Sequence, residues 1–181
     1  MILEGAGNLD GLEYAVRCRF ERAVAIADAA GVNIRVTSGW RGREEQQQLY
    51  DRWLACREPG GTKKTAASCR GVYPAYPPGE SMHELGLAID SFPVPTPKFN
   101  RAYNEGASAA YGFGGRSPTV PFSGFGESYA SSYPLDAPVS EFTAQMWWKN
   151  ILESQSLWVP SNELHHAEAC EARELRTRGF I

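Results

Sequence analysis

Histidine is scarce in this sequence: 181 residues contain three, and two of them, His165 and His166, are neighbours. Cysteine is limited to four residues with no Cys-x-x-Cys pair, which argues against a structural cysteine–zinc site. A basic excess is also missing. The net charge is -3, so there is no positive field to hold a polyanion and no nucleic-acid partner is expected. No apolar run reaches the roughly 20 residues that a membrane-spanning helix needs. With 43% hydrophobic and 22% charged residues, the composition suits one globular domain over residues 1–181 with a core of its own.

What is present is concentrated in one stretch, Ser81-Met82-His83-Glu84-Leu85-Gly86-Leu87-Ala88-Ile89-Asp90, an apolar run that reads as a short strand. Both His83 and Asp90 can bind a metal. A helix would hold them roughly 10 Å apart along its axis and a strand about 23 Å apart, whereas two ligands of one zinc each approach it to about 2 Å. The chain must therefore curl between them, and Gly86 can take the positive φ that such a curl demands. Beyond it, strand alternation places Leu87 and Ile89 on one face, and Gly86, Ala88 and Asp90 on the other. For an isolated pair, a turn-capping His and a strand-ending Asp would be the simpler reading. The segment Glu163-Leu164-His165-His166-Ala167-Glu168 changes this, because it holds the remaining histidines beside free carboxylates. One more imidazole and one free carboxylate are what a catalytic zinc site needs.

Along the chain, residues 11–30 read as a helix, with Leu12, Ala15, Val16, Phe20, Ala23, Val24 and Ala27 at three- and four-residue intervals and Gly31 placed to end it. Val32, Ile34 and Val36 then alternate with polar residues as a half-buried strand does. That strand delivers Ser38-Gly39-Trp40-Arg41 to its end, ahead of a helix from about Arg43 to Cys56. Arg41 thus sits at a strand-to-helix junction, where loops commonly carry function. Residues 57–80 are punctuated by Pro and Gly and read as loop. Cys56 and Cys69 flank its first half, and a disulfide between them would stabilise by about 3 kcal/mol; Cys18 and Cys170 either pair or stay as buried thiols. Residues 92–138 are rich in Pro, Gly, Ser and aromatics, without periodicity, and read as an insertion beside the cleft. Val139 to Glu153 reads as a helix with Phe142, Met146, Trp147 and Ile151 toward the core. A strand region follows from Ser156 to Val159, and a helix or turn from Glu171 to Arg178. This order of elements, without βαβ alternation, indicates an α+β domain.

Three blocks stand out in order: Ser38-Gly39-Trp40-Arg41 with Glu45-Gln46; Pro78-Gly79-Glu80-Ser81-Met82-His83 through Asp90; and Glu163-x-x-His166-x-Glu168. They resemble the zinc D-alanyl-D-alanine carboxypeptidases of the vancomycin-resistance type, within a wider group that includes phage L-alanyl-D-glutamate peptidases and the zinc domain of hedgehog. Leu164-His165 stands where that family usually has Pro-Trp. The resemblance implies a small antiparallel sheet with helices on one side, and one zinc held by His83, Asp90 and His166. It further implies Glu163 as the base, Arg41 as the oxyanion stabiliser, Ser81 and Gln46 in substrate binding, and Glu168 as a partner of a ligating imidazole. Gln47 and Gln48 compete with Gln46 for that role. Strand parity alone nominates His165 as the third ligand, because Glu163 and His165 would share a face. The family's Glu-x-x-His spacing nominates His166.

The implied activity is hydrolysis of peptidoglycan stem peptides by a D-alanyl-D-alanine carboxypeptidase. A phage-type L-alanyl-D-glutamate endopeptidase is the alternative, and a non-catalytic zinc-containing binding domain is the alternative of another class. Retention of both Glu163 and Arg41 speaks against the last, since binding alone needs no base beside a metal. Such an enzyme works in the cell envelope or outside the cell. Met1 to Gly7 show no basic segment followed by an apolar one. Either a leader precedes this sequence or export takes another route, as through a phage holin.

Overall fold

The structure, a computed structural model, describes residues 2–3, 9–58, 64, 66–110, 137–161 and 163–178. The elements run β1 (Ile2–Leu3), α1 (Tyr14–Ala30), β2 (Val32–Ser38), α2 (Arg43–Cys56), β3 (Ala88–Pro95), α3 (Pro97–Ala110), α4 (Glu141–Ser154), β4 (Leu157–Trp158), β5 (His166–Ala169) and α5 (Cys170–Thr177). Strand order in the sheet is β1-β2-β3-β5-β4. The four strands β2, β3, β5 and β4 pair antiparallel, as expected, and the two-residue β1 adds a parallel edge to β2.

Residues directly opposite one another in an antiparallel pair share a face. Ile89 faces Ala167 on the core side, while Ala88 faces Glu168 and Asp90 faces His166 on the other. Val32, Ile34 and Val36 of β2 are buried with Ile89, Ala167 and Ala169 in one cluster. Helices α1 and α4 pack against this side through Val16, Phe20, Trp147 and Trp148. Phe20 meets Trp148 edge to face at 6.1 Å, and a buried side chain such as Phe20 contributes about 1.5–3 kcal/mol. The Trp148 indole N–H donates to Ser91 Oγ at 3.0 Å, so the one polar atom of the largest core residue is satisfied.

One bulge redirects β2. Val36 pairs with Ser91, but the next pair is Ser38 with Asp90, so Thr37 is the extra residue. Without it Ser38 would oppose Ile89 on the core side; with it, Ser38 joins the face that carries Asp90.

Elsewhere the structure departs from the sequence pattern for identifiable reasons. The apolar run after His83 is not all strand: residues 82–86 form a turn and pairing begins at Ala88. Residues 92–110 of the expected insertion are regular, because β3 continues to Pro95 and α3 follows, while residues 111–136 lie outside the described ones. Phe142 is 59% exposed, since the buried stripe of α4 runs through Ala144, Trp147, Trp148, Ile151 and Leu152 and the first turn points away from it. Ala15 likewise lies outside the buried face of α1. Gly31 ends α1 in the left-handed conformation, as its position suggests. Cys56 and Cys69 form a disulfide that clusters with Trp53 and Val72 as a small second core for the loop ahead of Ser81, whereas Cys18 and Cys170, expected to pair or to stay buried, are in no disulfide and are half-buried and exposed.

The turn is held by the segment just before α1. Glu13 N–H donates to Gly86 O at 3.0 Å. A Cβ on Gly86, whose φ is +69°, would sit 2.6 Å from Gly11 O and 2.9 Å from Glu13 N. Trp40 covers Gly11 and donates its indole N–H to Glu84 O at 3.1 Å. Gly79 also has a positive φ, +90°, but open space around it. Gly79→Ala should therefore cost only the conformational ~1–2 kcal/mol, whereas Gly86→Ala adds a backbone clash and should cost clearly more. Urea denaturation of the two variants checks this; equal losses would show that the docked backbone yields.

Candidate metal centre

His83, Asp90 and His166 offer one ligand atom each, and these atoms lie within 4.8 Å of one another. Three separate local structures bring them together. His83 sits in the turn before β3, where its backbone carbonyl accepts from Gly86 N–H at 3.2 Å and closes the curl. Asp90 is delivered by β3 and His166 by the first residue of β5, directly opposite. His83 is 5% exposed, and the side chains of Asp90 and His166 are each 13% exposed.

Each imidazole has one nitrogen fixed from outside and the other turned inward. His83 Nδ1 lies 2.8 Å from Gly39 O, which makes it the donor there and turns Nε2 inward, 3.4 Å from Asp90 Oδ1. His166 Nε2 lies 3.0 Å from Glu168 Oε1 and its Nδ1 lies 2.8 Å from the same Asp90 Oδ1. The rings meet at an angle of 61° with centroids 5.2 Å apart. Two imidazole nitrogens and one carboxylate oxygen converging in a buried place, each imidazole hydrogen-bonded behind, is a donor set that fits a divalent zinc-like cation.

The remaining residues nominated by the sequence divide. Glu163 is exposed in the turn before β5, its carbonyl accepting from His166 N–H at 2.9 Å. Because β5 begins at His166 after that turn, strand alternation does not extend back to His165 and the parity argument loses its premise. His165 instead stacks on Phe92, with centroids 5.1 Å apart and planes 7° from parallel. Arg41 reaches the centre and donates from a terminal nitrogen to Asp90 Oδ2 at 3.1 Å. Glu168 is buried and sits behind His166. Ser81 is buried at the start of the turn, where its carbonyl accepts from Glu84 N–H at 3.0 Å. Gln46 does not open onto the centre through its amide nitrogen, which donates to Tyr76 O at 2.8 Å; the residue is 1% exposed and props the loop ahead of Ser81.

Gly39 and Phe92 carry roles that the sequence reading misses. Nothing could have flagged Gly39, since it acts through a backbone carbonyl that every residue possesses. Phe92 was findable by parity, two residues after Asp90 on the same face of β3.

Burial by itself would raise the pKa of Asp90, but hydrogen bonds and charge from His166 and His83 outweigh it and hold the carboxyl well below its ordinary range. Burial likewise works to lower that of His166, but its hydrogen bonds to Asp90 and Glu168 prevail and push it up to about 9. In the metal-free protein the His166 contribution is fully present below the unfolded value of about 6.5 and is lost as pH rises through about 9. The Asp90 contribution is present above about 3.9 and is lost as pH falls toward its depressed folded value. Both report largely one ion pair, so they do not add. The thermal midpoint of chelator-treated protein should fall between about pH 6.5 and 9, and His166→Gln should flatten that fall; an unchanged slope in the variant would refute the assignment.

The sequence profile of the VanY family, described as D-alanyl-D-alanine carboxypeptidase, matches residues 10–112, more than half of the chain. No curated protein matches the sequence significantly. Among solved structures, a mutant of the vancomycin-resistance D,D-pentapeptidase VanY from a VanB-type resistance cassette, in complex with Zn(II), aligns over 93% of this chain and 79% of its own, at 18% identity and TM-score 0.48. VanYB in complex with D-alanine-D-alanine aligns over 93% and 78%, at 17% identity and TM-score 0.49. The LdcB LD-carboxypeptidase aligns over 93% and 64%, at 15% identity and TM-score 0.44. The sequence match spans both the Ser38–Arg41 corner and the stretch from Ser81 to Asp90, and on that basis the chain belongs to the VanY family of D-alanyl-D-alanine carboxypeptidases.

Proposed function

We propose that this VanY-family chain hydrolyses peptidoglycan stem peptides as a zinc-dependent D-alanyl-D-alanine carboxypeptidase, with one zinc held by His83, Asp90 and His166. The observation that carries the reading is the convergence of those three side chains, from three separate elements, on one buried point. Three protein donors, rather than four, are the number by which a catalytic zinc site would differ from a structural one. Zinc, when bound there, supplies a Lewis acid and lowers the pKa of water toward ~7.

The chain's own residues supply the rest. Glu163, exposed and one turn ahead of His166, takes the proton of the attacking water and returns it to the leaving amine. Arg41 is anchored through two of its three nitrogens beside Asp90, and its fixed charge stabilises the oxyanion that develops on the scissile carbonyl. Glu168 holds the His166 ring through Nε2 and so fixes which nitrogen faces inward. Ser81 and the Phe92–His165 stack flank the centre as contacts for the peptide. The place of action is the cell envelope or the exterior, where the substrate lies and where the Cys56–Cys69 disulfide persists. Among the described residues no helix is long and apolar enough to cross a membrane.

Elemental analysis should find about one zinc per chain, lost in His83→Ala and Asp90→Ala; metal retention in both variants would remove the site. Glu163→Gln should keep zinc and lose more than about 100-fold in turnover, measured as D-alanine released from purified muropeptides. Cleavage between L-alanine and D-glutamate, with no D-alanine released, would replace the carboxypeptidase reading with an endopeptidase one. Zinc titration should separate the adjacent imidazoles: His166→Ala loses affinity by orders of magnitude, while His165→Ala keeps it and raises KM. The reverse pattern would transfer the ligand role to His165.

A further inference from the structure

The corner between β2 and α2 touches the metal centre three times and is braced once within itself. Gly39 O lies 2.8 Å from His83 Nδ1. Arg41 N–H donates to His83 O at 3.2 Å. The Arg41 guanidinium donates to Asp90 Oδ2 at 3.1 Å. Its Nε donates to Ser38 Oγ at 2.8 Å, and the β-bulge places Ser38 opposite Asp90. An arginine serving only the reaction would need none of these contacts with the residues that hold the metal.

The Asp90 carboxylate is therefore divided between two partners. Oδ2 is taken by Arg41, while Oδ1 receives the inward nitrogens of His166 and His83 at 2.8 and 3.4 Å. We propose that Ser38 and Arg41 are positioning residues for the metal: Arg41 holds Oδ2 so that Asp90 presents Oδ1 alone to the ion, and Ser38 locks the guanidinium that does this. The inference rests on the zinc reading above and assigns Arg41 a task before any substrate arrives. A planar guanidinium can bond Ser38 and Asp90 at once from two nitrogens in a fixed fork, whereas a lysine offers one flexible point charge and cannot hold both. The β-bulge acquires a purpose in the same way, because without it the Ser38 hydroxyl would face the core.

The test is zinc affinity, measured by competition with a chromophoric chelator and thus independent of turnover. Ser38→Ala keeps every charge, and Arg41→Lys keeps the net charge. Each should weaken zinc binding about 10-fold or more, the usual effect of removing a hydrogen-bonding partner behind a metal ligand. Ser38→Thr, which retains the hydroxyl, should restore the parental affinity, and a merely loosened strand would not be rescued in this way. Cobalt loaded in place of zinc should report the same order through its visible absorption, changed in Ser38→Ala and parental in Ser38→Thr. Parental zinc affinity in both Ser38→Ala and Arg41→Lys, or failure of the threonine rescue, would overturn the positioning role while leaving the zinc reading intact. A parent chain that binds no zinc would overturn both.

Discussion

A buried carboxylate must find positive partners or neutralise, and Asp90 organises the site because this chain surrounds it with them. Arg41 takes one oxygen, and the imidazoles of His83 and His166 approach the other. Those partners come from the corner after β2, the turn before β3 and the start of β5. The demand of one buried charge thus ties together three segments distant in sequence. The same convergence of one carboxylate oxygen and two imidazole nitrogens suits the place to a cation.

The two faces of the sheet divide the labour. One face is apolar and supports α1 and α4, with Trp148, Phe20, Ile34 and Ile89 fully buried. This rigid side fixes the backbones of β2, β3 and β5, and hence the spacing of the side chains that alternate to the opposite face. A change of register by one residue in β3 would send Asp90 into the core and Ile89 into the site, so hydrophobic burial on one side enforces chemical geometry on the other. Docking of the His83 turn onto residues 11–13 extends that rigidity to the one ligand that does not lie on a strand.

The replacement of the family's tryptophan by His165 has a structural counterpart. Flat stacking of His165 on Phe92 makes an aromatic surface from two smaller rings beside His166. The turn ahead of β5 allows this, because His165 is released from strand alternation and can turn toward Phe92 while His166 enters the ladder opposite Asp90.

The amino-acid sequence by itself determined whatever is local or periodic. Alternation in Val32, Ile34 and Val36 announced β2, the three- and four-residue spacing of Val16, Phe20, Ala23 and Ala27 announced α1, and Gly86 announced a left-handed turn. His83 and Asp90 were legible because histidine is rare in this chain and the two fall in one motif, whereas His166 came from the family's Glu-x-x-His spacing against a strand parity that favoured His165. Tertiary structure alone decided what depends on register and approach. The bulge at Thr37 puts Ser38 beside Asp90, the Gly39 carbonyl selects the inward nitrogen of His83, the Gln46 amide nitrogen turns to Tyr76 O, and Phe142 is left outside the core. The reason is physical: alternation and helical period are properties of neighbouring residues, whereas a bulge, a backbone acceptor or a choice of partner is set by the free energy of packing segments that meet only after the chain has folded.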